Sequence, residues 1–168
     1  MKIIKWFVVC FAIFCISCEG DPGPPGRDGL DGLPGPLAQV FEVQIDFTAA
    51  NNFEFLVSFP SNIEVFDSDV VAAYILDEVD NGVDIWEPLP QTLFLGNDIL
   101  IYGYDFSSSD INFFIDGTID PSTLDPIYTD DVIFRVAIIP AEFARSLDLS
   151  NFQSIMNELK IQDFQQLR

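Results

Sequence analysis

The chain's thiol chemistry is confined to its N-terminus, where Cys18 stands out by its setting. Cys18 follows the small residue Ser17, behind an apolar run over residues 6–16 that is itself preceded by Lys2 and Lys5. All three cysteines lie within the first 18 residues, so the remainder has no thiol for a disulfide, a nucleophile or a soft metal. Histidine is absent altogether. That removes the usual general base, the Ser-His-Asp triad and most zinc sites. No phosphate-binding loop is present, because the regularly spaced glycines have no strand–helix unit behind them. What remains is carboxylate, 27 Asp and Glu against seven Lys and Arg, for a formal net charge of −20. Paired carboxylates can cleave glycosides. Among so many acids no pair stands out, and the chain reads as non-catalytic.

Two acidic clusters have the oxygen density that a divalent cation requires. Asp77, Glu78, Asp80, Asn81 and Asp84 crowd a predicted hairpin, and Asp120, Asp125, Asp130 and Asp131 crowd a later loop. Calcium needs about six to eight oxygens converging at about 2.3–2.6 Å. An EF-hand loop beginning at Asp77 suits Gly82, yet it puts Val79 at the third position and Pro88 at the twelfth, so the motif fails. The clusters read first as acidic turns, with Asp77, Asp80 and Asp84 as the ligands if calcium binds. No other cofactor is expected. Trp86, Tyr102 and Tyr104 could form a sugar-stacking face. Tyr102 and Tyr104, however, share the parity of Leu100 and Phe106, which points them into a core.

The N-terminal elements fix what Cys18 can do. Eleven apolar residues, 6–16, are too few to span a hydrocarbon core, which takes about 20 in a helix. A basic start, a short apolar stretch and a small residue before the cut fit a cleaved export signal. The segment resembles a bacterial lipoprotein signal, in which a peptidase cuts before a cysteine that carries lipid. Ile16-Ser17-Cys18 carries the match, while Cys15 stands where that family usually has leucine. The resemblance implies that residues 1–17 are removed and that Cys18 is acylated. Glycine then recurs at every third position, at Gly20, Gly23, Gly26, Gly29, Gly32 and Gly35. A collagen triple helix demands that spacing, since only hydrogen fits at its axis. Extended as polyproline II, the 18 residues of these triplets would reach about 55 Å at ~3.1 Å each. Six triplets bury little surface, which favours a monomeric tether and leaves a homotrimer as the alternative.

Beyond residue 38 the pattern changes to period two. Phe41, Val43, Ile45 and Phe47 alternate with polar residues, as do Phe53, Phe55, Val57 and Phe59 before Pro60. Residues 70–76 are apolar on both faces, which suggests a central strand. Asn81-Gly82 is a strong hairpin signal, and Gly96-Asn97 marks a second tight turn between 92–95 and 99–106. Ile111, Phe113 and Ile115 alternate again, and 132–139 supplies a further strand. Seven or eight strands at hairpin spacing, with no helical crossovers, predict an antiparallel β-sandwich. Only the tail looks helical. Phe152, Ile155, Met156 and Leu159 share one face, Ser150 is placed to cap, and Ile161, Phe164 and Leu167 could extend that face. This helix is expected to plug an open end of the sandwich. The organisation is therefore a signal over 1–17, a lipidated cysteine and stalk over 18–37, and a head over 38–168. At roughly 130 residues, the head is long enough to bury its own core without disulfides.

Removal of residues 1–17 would leave the 27 acids facing five basic residues, Arg27, Arg135, Arg145, Lys160 and Arg168. Such a surface repels nucleic acid and anionic head groups, so neither is an expected ligand, and it keeps a domain soluble. The whole chain is similar to the small collagen-like lipoproteins of the Bacteroidota, especially the flavobacteria. The resemblance rests on Cys18, the triplets over 20–37, and a Phe-rich head with its Val79-Asp80-Asn81-Gly82 turn and Trp86. It implies an address, the cell envelope and its outer membrane, reached through lipid on Cys18. It implies no mechanism, since the heads of that family have no established activity. The reading that follows is a lipid-anchored, non-enzymatic binding or structural module with a protein or glycan partner. A carbohydrate-binding accessory module, with calcium or without it, is the alternative.

Overall fold

The computed structural model describes residues 38–161 and 164–167. The expected signal sequence, Cys18 and the six repeat glycines lie outside those residues. Within them the chain is mainly β, as the alternation predicts, and forms two sheets. One sheet contains β1 (Gln39–Ile45), β3 (Val70–Asp80), β4 (Val83–Pro88), β8 (Val132–Ile139) and β9 (Gln165–Leu167), in the order β4-β3-β8-β1-β9. The other contains β2 (Glu54–Ser58), β5 (Gln91–Leu95), β6 (Asp98–Phe106) and β7 (Asp110–Gly117), in the order β2-β7-β6-β5. All pairings are antiparallel except that of β9 with β1. Asn81 and Gly82 take left-handed backbone, with φ of 50° and 83°, and so close the two-residue turn that pairs Asp80 with Val83.

Alternation places one side chain of each pair between the sheets. Phe41, Val43, Ile45, Phe134 and Val136 meet Leu100, Tyr102, Ile111 and Phe113 there, all of them buried. Phe113 stacks on Phe134 with ring centroids 4.4 Å apart and planes 23° from parallel. Each such ring removed from water contributes about 1.5–3 kcal/mol. Tyrosine hydroxyls at the margins are tied to backbone. Tyr102 donates to the Tyr128 carbonyl at 2.7 Å, and Tyr104 to the Val71 carbonyl at 3.0 Å.

The tail corrects three expectations. First, Asn151 caps the helix, not Ser150. Its side chain accepts the Ser154 N–H at 3.0 Å, while the Ser150 hydroxyl is taken up by the Asp148 carboxylate. Second, the helices α1 (Ala141–Ala144) and α2 (Phe152–Glu158) do not plug an open end. Phe152 and Ile155 of α2 instead pack on the outward face of the five-stranded sheet, with Val40, Ala72, Tyr74, Ala137 and Ile139. The cause lies in β3 and β8, which are apolar on both faces and need a cover. Third, the apolar residues after α2 do not prolong one helical face. Gln165–Leu167 pairs with 41–43 as a strand, where residues three apart point to opposite sides. Leu167 accordingly packs toward the core between the sheets, and Phe164 against the outward cluster.

Candidate functional site

The three carboxylates proposed as calcium ligands are not brought together. In the β3–β4 hairpin Asp84 pairs with Val79, and Asp80 with Val83, so Asp80 and Asp84 project to opposite faces. Each of the three also has its own partner. Asp77 accepts from Gln91 Nε2 at 3.2 Å, Asp80 from Asn81 Nδ2 at 2.8 Å, and Asp84 from Arg135 Nη2 at 3.4 Å. The second acidic cluster is largely turn chemistry. Asp120 and Asp125 each precede a proline and cap a short 3-10 turn, accepting the Ser122 and Ile127 N–H groups at 3.0 and 3.1 Å. The Ser122 hydroxyl, and then its N–H, hold the Asp120 carboxyl below its ordinary value. Among the described residues no group of three or more acids is arranged to hold a metal ion.

The aromatic residues singled out from sequence also separate. Tyr102 is buried, and Tyr104 is half-buried against Phe106. Trp86 belongs to an ionic cluster on the outward face of the five-stranded sheet. Arg135 stands at the centre of that face, flanked by Glu42 on β1 and Tyr74 on β3. Its Nε donates to Glu42 Oε2 at 2.9 Å, in a pair whose side chains are only 14% and 16% exposed. The guanidinium lies 3.9 Å from the Trp86 ring centroid, 4.5 Å from that of Phe164 and 5.3 Å from that of Phe152. Trp86 and Phe152 are tilted by 49°, so these two rings are not coplanar. A groove of about 370 Å³ opens beside them, lined by Asp84, Trp86, Glu87, Asn151, Phe152 and Gln153. The sequence carried a signal for this cluster. Arg135 is the one charge in an otherwise apolar strand, and a charge there requires an acid and polarisable cover.

The four-stranded sheet presents the opposite case. Its inward side chains enter the core, but no part of either helix packs on its outward face. That face bears an oblique apolar stripe. Phe94 on β5 pairs with Ile99 on β6, followed two residues on by Ile101; Phe114 on β7 and Leu56 on β2 continue it diagonally. Phe94 is 77% exposed and Leu56 62%, while Ile99, Ile101 and Phe114 are half-buried. Phe114 lies over Gly103, its cross-strand partner, where any Cβ would run into the ring. Carboxylates surround the stripe. Glu54 pairs with Phe114, Asp116 with Ile101, Asp105 with Asn112 and Asp110 with Ser58. No lysine or arginine occurs anywhere between Arg27 and Arg135, so none balances them on these strands. Sequence reasoning missed this face, because Phe94, Ile101 and Phe114 stand out only once strand parity is fixed.

This geometry defines a β-rich, sandwich-like head with one outward face covered and the other open. No protein-family model, curated protein or solved structure matches the chain.

Proposed function

We propose that the protein is a lipid-anchored, non-enzymatic component of the bacterial cell envelope, whose head binds through the open face of its four-stranded sheet. The observation that carries the binding half is the asymmetry of the two outward faces. One is covered by α2 and Phe164 and holds Arg135 beneath them, whereas the other leaves Phe94 and Leu56 in solvent. Contiguous apolar surface on a soluble domain marks a binding site. The anchoring half rests on sequence: the signal-like segment, Ser17-Cys18 and the glycine repeat. Cys18 is the lipidated residue in this reading, and the stalk spaces the head from the outer membrane. Among the described residues no helix is long and apolar enough to cross a membrane. A single acyl chain binds a membrane only marginally at ~0.8 kcal/mol per buried CH₂, while several anchor it stably.

Metabolic labelling with a fatty-acid analogue tests the anchor. The wild-type chain takes up label and partitions with membranes, and Cys18→Ala abolishes both. Label that persists in Cys18→Ala overturns the anchor assignment.

A further inference from the structure

We infer that the open face of the four-stranded sheet receives a protein partner that presents a cationic, apolar segment, and not a second copy of this chain. The inference deepens the binding role proposed above and rests on it. Its first support is the stripe itself, in which Phe94, Ile99, Ile101, Phe114 and Leu56 cross all four strands. The second is the charge around it. Glu54, Asp105, Asp110 and Asp116 share the face, and β2, β5, β6 and β7 contain no lysine or arginine. An occupant must therefore bring the positive charge, because desolvating carboxylates that have no cation beside them opposes binding.

The same charge rules on the other occupants. A second copy would set four more carboxylates against these four, and like charges across an interface cost several kcal/mol. Anionic lipid and nucleic acid are repelled for the same reason. A glycan would find no tryptophan or tyrosine among the outward residues of the stripe. A polypeptide with lysine or arginine alternating with apolar residues satisfies both features. In extended form its apolar side chains lie on the stripe, and its cations reach the carboxylates on either side.

The test uses the full chain, extracted in non-ionic detergent, and a fluorescent peptide of alternating lysine and valine. Controls are oligolysine of equal charge, a glutamate–valine peptide, and soluble glucan and chitin oligosaccharides. The lysine–valine peptide should bind at least about tenfold more tightly than oligolysine, since it buries large apolar groups as well as pairing charge. Leu56→Ser with Phe94→Ser should reduce it to the oligolysine level, and Glu54→Gln with Asp116→Asn should weaken binding and flatten its salt dependence. Both positions 56 and 94 are exposed, so circular dichroism and melting temperature should match wild type. Equal affinity for oligolysine, or binding indifferent to the double serine variant, overturns the inference. So does tighter binding of the glutamate–valine peptide or of an oligosaccharide, or a dimer that the serine variant dissolves. Cys18→Ala measured alongside separates the two proposals. If it keeps peptide binding but loses membrane partition, both stand; if wild type partitions but ignores the peptide, only the partner assignment fails.

Discussion

Arg135 offers the sharpest test of how the covered face is built. Replacing it with methionine keeps most of the packing volume and removes the charge. Glu42, 16% exposed, then loses its ionic partner and retains the Gln166 amide at 3.0 Å. Leaving one member of a buried pair costs about 3–5 kcal/mol, and the residual exposure and the surviving amide place this case at the lower end. Loss of the guanidinium from the Trp86 and Phe164 rings adds about 0.5–2 kcal/mol, partly offset by the methionine's own contacts. The sum is a loss of about 3 kcal/mol, read as a lowered midpoint in urea unfolding followed by circular dichroism. Glu42→Leu alone should cost less, about 1–2 kcal/mol, because Asp84 and the rings still face the cation. Arg135→Met with Glu42→Leu replaces the whole pair by apolar groups and should return to within about 1 kcal/mol of wild type. The cycle therefore yields a coupling of about 3–5 kcal/mol. Since Phe164 rests on the guanidinium, amide exchange in Gln165–Leu167 should also accelerate in Arg135→Met. Arg135→Met within about 1 kcal/mol of wild type, or strictly additive losses in the double variant, would refute the idea that this pair pins the C-terminal cover.

Two further outcomes follow from the core and the open sheet. Burial raises the Tyr102 hydroxyl well above its ordinary value of 10.0, with proximity to Tyr128 adding to it, and Tyr74 is raised likewise. Because the folded value exceeds the unfolded one, the contribution is complete below about pH 10 and is lost as pH rises through the folded values. Stability measured by denaturant titration should fall above about pH 10, and should fall less in Tyr102→Phe; a flat alkaline profile contradicts it. At Gly103 an added methyl meets the Phe114 ring, so Gly103→Ala should cost about 1–3 kcal/mol in wild type and close to nothing in a Phe114→Ala background. Equal costs in both backgrounds would mean that the ring does not lie over the glycine.

Period two was enough to read β1 to β8, though not β9, which falls in the stretch that looked helical. The run over 132–139 became β8 with the same bounds, and Asn81-Gly82 made the turn it predicts. The tail was misplaced for a definite reason. Helical spacing shows which side chains of Phe152, Ile155 and Met156 are buried, but not against what. The missing information was nonetheless present in 70–76, where apolar residues on both parities demanded a second cover for the sheet. The acidic hairpin shows what a count of residues leaves open. Asp80 and Asp84 are close in sequence, yet the three residues between them, which include a two-residue turn, carry them to opposite faces. Ligand convergence is a property of register, and register is not visible in a count of carboxylates.

Solubility accounts for the excess of acid in general, and it accounts for most of the loops. It does not account for where the apolar residues are. A sheet face that needed only to be wetted would carry polar residues at 56, 94, 99, 101 and 114, as alternation allows at no cost to the core. This sheet instead keeps leucine, isoleucine and phenylalanine there, on strands without a single cation. Carboxylates beside such a stripe have a second effect. They keep identical faces apart by mutual repulsion, which is how exposed sheets avoid self-association. In the binding role proposed above, the arrangement suppresses pairing of the head with itself while preserving the surface for an oppositely charged partner. On the covered face the chain places a largely covered cation, Arg135, among aromatic rings and acids of its own. The open face has the acids and an exposed ring, and lacks only the cation. A partner that supplies it would complete there, between molecules, the combination that Arg135 completes within one.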